Sequence, residues 1–390
     1  MGLLMNILQV APYFPPYKGG QEEHVAKLAD HLKANGHTVK VLTSDYPPEE
    51  TPDEEPDVHR LTVRARLLRN PFVIPQTVIL RLFRWADVAH THNEHAFISN
   101  LAALTGTYTG TPTVLTCHGQ LSFGSGLADT IESAYNRTIG ANTLKAMDRV
   151  IALSESDKAY LTSLGADPRA VEVIPNAIEP PGEPDQAAVE EFREDHGLVG
   201  QTVVLFVGPL VRRKSPETLI RAMPAIREHH PNAVGVFVGG GDHLDAAKAA
   251  ADSLGVKKLV RFTGFVPEEQ LLAAYRSGAV LAVPSVSEGL PTTIIEGMFH
   301  ELPVVATDLD PIRDWFGGHA ELVPSEPSAF SDAITDLLDN RQKAERMGQA
   351  GADMVRSRLT WDRVSEEVMR VYSDIVGTAD VIERAEHTSA

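Results

Sequence analysis

Short apolar runs alternate with amphipathic or polar segments through the first half of the chain. These runs predict buried strands over residues 6–10, 38–43, 86–90, 111–116, 149–153 and 171–175. Residues 21–33 place apolar side chains at helical spacing, and Asn35 with Gly36 ends that helix. A strand, a glycine-containing loop, a helix and a second strand begin a βαβ unit, so the pattern predicts a parallel sheet.

The second half of the chain repeats this pattern after a proline-rich linker at residues 180–184. Apolar runs predict strands over residues 203–207, 233–238, 260–263, 279–283 and 302–306. A last helix is predicted over residues 361–376, with Val364, Val368 and Tyr372 on one face. We therefore predict α/β domains at residues 1–180 and 181–360, then a helix at 361–377 and a frayed tail at 378–390.

Composition narrows the class of protein. The 390 residues are 43% hydrophobic and 23% charged, as in an ordinary soluble globular protein. The formal net charge of -18 argues against nucleic acid as a partner. A single cysteine, Cys117, cannot form an internal disulfide, and no apolar run reaches the roughly 18–20 residues that a membrane span needs. The first residues have no charged signal-peptide region, so we expect a cytoplasmic protein.

One basic segment, residues 58–86, stands out in this acidic chain. It contains no acidic residue, and apolar side chains are interleaved with its arginines, Arg60, Arg64, Arg66, Arg69, Arg81 and Arg84. Two interpretations stay open. In the first, the segment makes peripheral contact with an anionic membrane, at the inner face of the cell membrane, or it contacts an anionic acceptor. In the second, it is an arginine-flanked surface helix with a buried apolar face.

The most informative stretch follows the predicted strand at residues 279–283. A short polar loop holds Glu288 and Gly289, and Pro291 fits the first position of a helix with Glu296 in its second turn. The start of a helix binds anions, phosphates above all, because its first backbone N–H groups are unpaired. A carboxylate near such an end accepts hydrogen bonds from ribose hydroxyls in dinucleotide sites. The alternative is that both acids only complement the helix dipole.

Two further loops carry residues of ligand-binding type. Gly19 and Gly20 precede the first helix and permit a backbone to approach a ligand closely, although ordinary turns also use such a pair. His118 follows the predicted strand at 111–116, at the edge where ligands of open α/β sheets bind. The alternative for His118 is a capped or surface histidine. Adjacent strand residues point to opposite faces, so Cys117 is expected in the core and not in a dyad with His118.

Two groups resemble metal ligands by composition. The segment HTHNEH at residues 90–95 contains three histidines and a glutamate, but no cysteine or third ligand appears at zinc-like spacing. Asp308 and Asp310 form a D-x-D pattern, which an aspartate-rich loop at a strand end explains. We therefore predict no metal site in either segment.

Across nearly the whole chain, the order and spacing of short motifs resemble those of retaining GT-B glycosyltransferases of the family 4 type. The motifs are YFPP at 13–16 followed by GG at 19–20 and Glu22, HTHN at 90–93, TCHG at 116–119, SES at 154–156, VIPN at 173–176, FTG at 262–264, EGLP at 288–291 followed by Glu296, and PVVAT at 303–307. The resemblance implies an α/β GT-B fold. Two doubly wound, Rossmann-like domains would face a central cleft, and the C-terminal helix would cross back to the first domain.

The resemblance also implies that the second domain binds a nucleotide-sugar donor and the first domain an acceptor. Glu296 would bind the ribose hydroxyls, and Glu288 would bind hydroxyls of the donor sugar. His118 would lie beside the transferred sugar. Main-chain groups at Gly264 would contact the base. The diphosphate would meet the loop formed by Gly289, Leu290, Pro291 and Thr292, in which Pro291 has no N–H to offer. The loop with Gly19, Gly20 and Glu22 would close over the diphosphate.

Lys214 matches the basic residue that neutralises the departing nucleoside diphosphate in this family. No metal cofactor is implied, because a helix end and cationic side chains do that task. One departure concerns Gly208-Pro209, where the family usually has Gly-Arg with the arginine on a phosphate. Arg212 or Arg213 is then left to meet the phosphates.

The predicted activity is transfer of a hexosyl unit, with retention, from a UDP- or GDP-sugar to a hydroxyl acceptor. The sequence does not identify this acceptor as a glycan, a lipid-linked molecule or a small molecule. Two alternatives on the same fold stay open. A nucleotide-sugar epimerase would need no acceptor, and a non-catalytic nucleotide-sugar-binding protein would bind the donor without cleaving it.

Overall fold

The computed structural model describes residues 4–17, 19–47, 55–67, 70–119, 135–182 and 185–377. Within these ranges the chain forms two compact units. The first comprises the residues up to Asn176 and those from Trp361 onward, and the second comprises Ala177–Thr360. Residues 180–182 of the predicted linker therefore belong to the second unit. Residues 183–184 and the tail predicted at 378–390 lie outside the described ranges.

The first unit is built on a seven-stranded sheet in which all neighbouring strands are parallel. Its strands are β1 (Asn6–Val10), β2 (Thr38–Ser44), β3 (Val58–Leu61), β6 (Val88–His92), β7 (Thr113–Thr116), β8 (Arg149–Ala152) and β9 (Val171–Val173). Their spatial order is β3-β2-β1-β6-β7-β8-β9. Ile7 and Leu8 of β1 point to opposite faces and are both fully buried, as expected for a parallel sheet covered on both faces.

The helices of the first unit include one from the end of the chain. They are α1 (Gly20–Ala34), α2 (Thr77–Trp85), α3 (Phe97–Thr109), α4 (Ala141–Ala146), preceded by a π-helical turn at Asn136–Gly140, α5 (Glu155–Ser163) and α14 (Trp361–Ile375). Helix α14 packs against α1. Its residues Val364, Val368 and Tyr372 are buried, which confirms the predicted apolar face.

The second unit contains a six-stranded sheet, again with all neighbouring strands parallel. Its strands are β10 (Thr202–Val207), β11 (Ala233–Val238), β12 (Val260–Gly264), β13 (Gly278–Val283), β14 (Val304–Thr307) and β15 (Glu321–Val323), in the order β12-β11-β10-β13-β14-β15. Its helices are α6 (Gln186–Asp195), α7 (Pro216–His229), α8 (Leu244–Ser253), α9 (Glu268–Ser277), α10 (Thr292–Phe299), α11 (Asp310–Phe316), α12 (Pro327–Asp339) and α13 (Arg341–Arg358).

The basic segment is not one surface helix, so that interpretation of residues 58–86 was wrong. Strand β3 joins the sheet, an antiparallel pair follows as β4 (Val63–Leu67) and β5 (Asn70–Val73), and only α2 is helical. Alternating side chains and an Asn70-Pro71 turn signal favour strands over a continuous helix. No helix of the described residues is long and apolar enough to cross a membrane.

In both sheets the strand order reverses beside the first strand of the unit. Strand β1 lies between β2 and β6, and β10 lies between β11 and β13. Such a reversal leaves a crevice at the carboxyl ends of the strands, which is where open α/β sheets bind ligands. A functional site is therefore expected at the carboxyl ends of these strands.

Candidate active site

In the second unit, two loops meet at the reversal of the strand order. After β10 the chain turns through Gly208, whose φ of 135° lies in the left-handed region that glycine tolerates. A 3₁₀ turn at Arg212–Lys214 then leads into α7. The second loop follows β13 and holds Glu288 just before α10. Because β10 and β13 are neighbours, the sheet itself brings Lys214 and Glu288 together.

Glu288 is held between two cations from the first loop. Lys214 Nζ lies 2.5 Å from Glu288 Oε1, and Arg213 Nη1 donates to Oε2 at 2.9 Å. The side chains of Glu288 and Lys214 are only 5% and 8% exposed. Burial acts to raise the pKa of the Glu288 carboxyl, but the charges of Lys214 and Arg213 outweigh it, and the pKa lies below its ordinary value. Glu288 is therefore a fixed, ionised carboxylate at neutral pH.

The two arginines of the 3₁₀ turn differ in their contacts. Arg213 is bound to Glu288 and also donates to the carbonyl of Ser287 at 3.4 Å. Arg212 is exposed, and its guanidinium forms no ion pair within the described part of the chain. Arg212 is thus the arginine with donors available where the family places an arginine at the position of Pro209.

Helix α10 begins immediately after Pro291. The proline is the extended residue before the helix, with φ -73° and ψ 118°, so the prediction that it takes the first helical position was wrong by one residue. Its ring fixes φ but leaves ψ free, and the residue preceding a helix has a non-helical ψ. Pro291 makes no side-chain capping bond, and the N–H of Ile294 donates to its carbonyl at 3.2 Å, so the N–H groups of Thr292 and Thr293 are the ones that the start of this helix offers to a ligand.

Glu296 lies in the second turn of α10, as predicted, and has a partner that the sequence did not suggest. The hydroxyl of Tyr275, in α9, donates to Glu296 Oε2 at 2.5 Å. Tyr275 is 1% exposed, and burial together with the Glu296 charge holds the pKa of its hydroxyl well above the ordinary value. Tyr275 therefore remains protonated and fixes one oxygen of the carboxylate.

The candidate base contact, Gly264, lies where three strands end close together. Gly264 has φ 75°, and its carbonyl accepts from the N–H of Gly239 at 2.9 Å. A side chain at Gly239 would collide with the carbonyl oxygen of Gly208. Glycines at the ends of β10, β11 and β12 thus leave main-chain groups uncovered by side chains at this edge.

The glycine loop of the first unit begins α1. Gly20 is the first helical residue, and Gly19 is the extended residue before it. The carboxylate of Glu22 lies against Gly19, where any side chain would clash with it, and burial raises the pKa of that carboxyl. A side chain at Gly20 would meet no described atom within 4 Å, so packing inside this unit does not require glycine there.

His118 is half-buried and stands at the end of a series of hydrogen-bonded polar side chains. Its Nε2 lies 3.1 Å from Nδ1 of His92, and Nε2 of His92 lies 2.9 Å from Gln9 Oε1. Gln9 Nε2 donates to the Tyr372 hydroxyl at 3.1 Å, and that hydroxyl lies 2.6 Å from Nδ1 of His90. These hydrogen bonds therefore connect the carboxyl ends of β1, β6 and β7 to helix α14. Sequence spacing pointed to His118 but not to Gln9 or Tyr372.

Burial keeps these imidazoles neutral. It lowers the pKa of His24 to about 4 and the pKa of His90 to about 3. It also lowers the pKa values of His92 and His118 well below the ordinary value, and neighbouring imidazoles add to the effect. At neutral pH His118 is thus a hydrogen-bonding group without charge. Cys117 is buried in the core, as predicted.

Of the three histidines in the 90–95 segment, His92 belongs to the cluster that the fold forms, and its two partners come from elsewhere in the sequence. Ring nitrogens of His24, His92 and His118 all lie within 4.8 Å of one another, although the three residues are distant in sequence. The D-x-D pair has a different partner. Arg313 binds Asp308 at 2.7 Å and Asp310 at 2.5 Å, and Asp310 is the first residue of α11 rather than part of the loop.

Comparisons with known proteins match both units. The family model Glycosyltransferase Family 4 matches residues 18–180, and the model Glycosyl transferases group 1 matches residues 188–354. A phosphatidyl-myo-inositol mannosyltransferase of Mycobacterium leprae is 29% identical over 396 residues, which cover 98% of this chain and 100% of its own. A phosphatidylinositol N-acetylglucosaminyltransferase subunit of Saccharomyces cerevisiae is 23% identical, covering 96% of this chain and 84% of its own.

Solved structures show the same fold. HepE of Anabaena, crystallised in complex with UDP, matches with a TM-score of 0.77 at 17% identity and covers 95% of this chain and 100% of its own. Together with the two parallel-sheet units, this match shows the α/β GT-B fold. The chain is a GT-B glycosyltransferase of the family 4 type.

Proposed function

We propose that this glycosyltransferase transfers a hexosyl unit from a UDP- or GDP-sugar to a hydroxyl acceptor, with retention and without a metal ion. The observation that supports the proposal best is the clamp of Glu288 between Lys214 and Arg213, beside the uncapped start of α10. Positive groups and free N–H donors at one helix start suit a diphosphate. The fixed carboxylate beside them suits the hydroxyls of a sugar.

The chemistry of the donor assigns a role to each group. Charge grows on the diphosphate as the glycosidic bond breaks, so a preorganised cation lowers the barrier, by roughly 3–4 kcal/mol if it acts like one oxyanion-hole donor. Lys214 is that cation, and Arg212 offers the second positive group at the phosphates. Glu296, oriented by the hydrogen bond from Tyr275, accepts from the ribose hydroxyls.

The same clamp argues against a covalent intermediate on Glu288. Both oxygens of Glu288 are engaged, Oε1 with Lys214 and Oε2 with Arg213. A carboxylate held this way is a poor nucleophile, because its charge is already compensated on both oxygens. We therefore favour attack by the acceptor hydroxyl on the face that the diphosphate leaves, with a diphosphate oxygen taking the acceptor proton.

The acceptor is proposed to be a lipid with an inositol headgroup. Both relatives described above carry phosphatidylinositol in their names, and the mannosyltransferase aligns with nearly the whole chain. The basic segment supports peripheral contact with an anionic membrane, since Arg64, Arg66, Arg81 and Arg84 are exposed. Arg60 is excluded from that role because it is half-buried and paired with Glu55 at 2.6 Å. Arg69 lies outside the described residues.

A turnover assay tests this function. Purified protein is incubated with UDP- or GDP-sugars and with vesicles that contain phosphatidylinositol or lack it, in excess chelator. We expect nucleoside diphosphate release that depends on the inositol lipid, and an NMR spectrum of the product that shows the donor's anomeric configuration. Conversion of the nucleotide sugar without acceptor would indicate an epimerase, and binding without release would indicate a non-catalytic protein. Loss of turnover in chelator would contradict metal independence.

Membrane contact is tested separately by sedimentation. Vesicles with anionic lipid should carry the protein down at low salt and release it as salt screens the exposed arginines. Neutral vesicles of the same size are the control. Equal sedimentation with both vesicle types, or none with either, would contradict the contact.

A further inference from the structure

Three imidazoles from three separate elements converge in the first unit. His24 lies in α1, His92 ends β6, and His118 follows β7. One ring nitrogen of each lies within 4.8 Å of the other two. His24 and His92 are buried and His118 is half-buried. The cluster therefore has a closed side, formed by the sheet and α1, and an accessible side at His118.

The spacing within the cluster suits a small metal ion. Zinc binds imidazole nitrogen at about 2.0–2.1 Å, so two nitrogens on a tetrahedral ion lie about 3.3–3.4 Å apart. His92 Nδ1 and His118 Nε2 are already 3.1 Å apart. The separations from His24 are at most 4.8 Å, and they would have to shorten toward the same value when an ion binds.

The environment of His92 prepares it as a ligand. Gln9 Oε1 accepts from Nε2 of His92, and the amide of Gln9 is oriented by its own bond to the Tyr372 hydroxyl. The proton of His92 is thereby placed on Nε2, and the lone pair of Nδ1 points to His118. An outer partner that fixes the tautomer in this way accompanies nearly every metal-bound histidine.

His24 supplies an independent observation. Its side chain is 9% exposed; Asn176 forms a hydrogen bond with the imidazole, but Nδ1 has no hydrogen-bond partner among the described residues. A buried polar atom without a partner is uncommon in a native protein and calls for an explanation such as an ion. A metal ion coordinated by the cluster would provide the missing partner.

We propose that His24, His92 and His118 bind one divalent transition-metal ion of the zinc class, with a fourth position open to water. Three neutral nitrogen ligands suit zinc, whereas magnesium and calcium require oxygen ligands. The ion would replace the proton that His118 Nε2 donates to His92 Nδ1, and His118, the residue assigned to the transferred sugar, would carry its proton on Nδ1 instead. Zinc should therefore inhibit transfer by competing for His118. This last step rests on the proposed function, whereas the metal site does not.

Zinc binding to metal-free protein provides the first test. A chromophoric chelator competes for Zn²⁺, and Co²⁺ absorption reports the geometry of the bound ion. We expect one tight site in the parent protein and no binding of Mg²⁺. His118→Ala and His24→Gln should each weaken Zn²⁺ by more than the ~10–100-fold typical of losing an outer-shell partner. Gln9→Leu should fall within that range.

The chain has 15 histidines, so a surface control is needed. His229→Ala removes an exposed histidine of the second unit and should leave tight binding unchanged. Zinc affinity that survives both His118→Ala and His24→Gln would mean an adventitious ion at surface histidines and would overturn the site. His118→Ala alters a half-buried side chain, and a melting curve equal to that of the parent protein would exclude misfolding as the cause of lost binding.

Inhibition by zinc is measured separately, as a change in turnover. Adding Zn²⁺ at concentrations around its measured dissociation constant should suppress acceptor-dependent turnover, and chelator should restore it. One tight zinc site at these histidines with unchanged turnover would overturn the competition and the sugar role of His118, but not the metal site. Turnover that is absent in all conditions, with zinc still bound, would instead contradict the proposed function.

Discussion

The two units share one sheet topology, but the side chains at their strand ends differ in charge. In the second unit, the loop after β10 brings Lys214 and Arg213 to Glu288, and the carboxylate stays ionised although it is buried. In the first unit, His118 and His92 contact each other and Gln9, and burial keeps the imidazoles neutral. The comparison shows that the topology fixes where a site forms, and the loop residues fix its charge.

This difference fits the two ligands expected. A nucleoside diphosphate carries negative charge that increases during reaction, so a rigid set of cations and helix N–H groups stabilises it. A sugar or acceptor hydroxyl carries no charge, so it can also be bound by hydrogen-bond partners without net charge. The neutral histidine chain of the first unit provides such partners, because a buried imidazolium there would require a counter-ion.

The largest expected effect comes from removing the buried cation of the second unit. Lys214→Ala should reduce turnover by ~10²–10³, because the departing diphosphate loses a preorganised positive charge. Steady-state kinetics measures the change. Lys257→Ala, at a 79% exposed lysine of the same unit, is the matched control. Near-normal turnover of the Lys214 variant would transfer the role to Arg212 or Arg213.

The second prediction concerns stability in acid, which the first unit should lose at a higher pH than the second. Below pH 6.5 the unfolded chain binds protons at His24 that the folded chain, with a pKa of about 4, does not bind. The first unit therefore loses stability as pH falls from about 6.5 to 4, by about 2 kcal/mol at pH 5 from His24 alone. The Glu288 ion pairs act in a lower range: their contribution is present above the ordinary glutamate pKa of 4.5 and is lost only as pH falls through the lowered pKa.

Hydrogen exchange at about pH 5 and pH 7 resolves the two units. Amides of β1, β6 and β7 should lose protection toward acid before those of β10 and β13, after correction for intrinsic exchange. His24→Gln should flatten the acid dependence of the first unit by about one proton. Equal acid sensitivity of both sheets would contradict the electrostatic contrast.

The smallest expected effect is at the tyrosine that orients Glu296. Tyr275→Phe removes one hydrogen bond to the carboxylate and keeps the buried ring, so nucleotide affinity should fall only ~2–10-fold. Titration calorimetry measures the change. An unaltered affinity would mean that Tyr275 has no part in placing Glu296 for the ribose.

The sequence predicted the fold well because its central strands are continuous apolar runs. Local order also placed Glu288 in the loop after a predicted strand and Glu296 in the helix that follows, and the family resemblance pointed to Lys214. Gln9, His24, Tyr275 and Tyr372 were missed, since each meets its partner only through the tertiary fold. The edge strand β15 has three residues and no periodic signal. In the basic segment, interleaved arginines suggested a helix where strand pairing prevailed.

The most direct test of the central claim is calorimetric titration of the purified protein with UDP, GDP and ADP, at low and high salt. The account predicts that one of the three binds clearly, and that Glu296→Ala weakens this nucleotide by roughly 10–100-fold, as expected for hydrogen bonds to a charged group. Binding of none of them under either condition, or equal binding to parent protein and variant, would contradict a nucleoside diphosphate site at the clamp of the second unit.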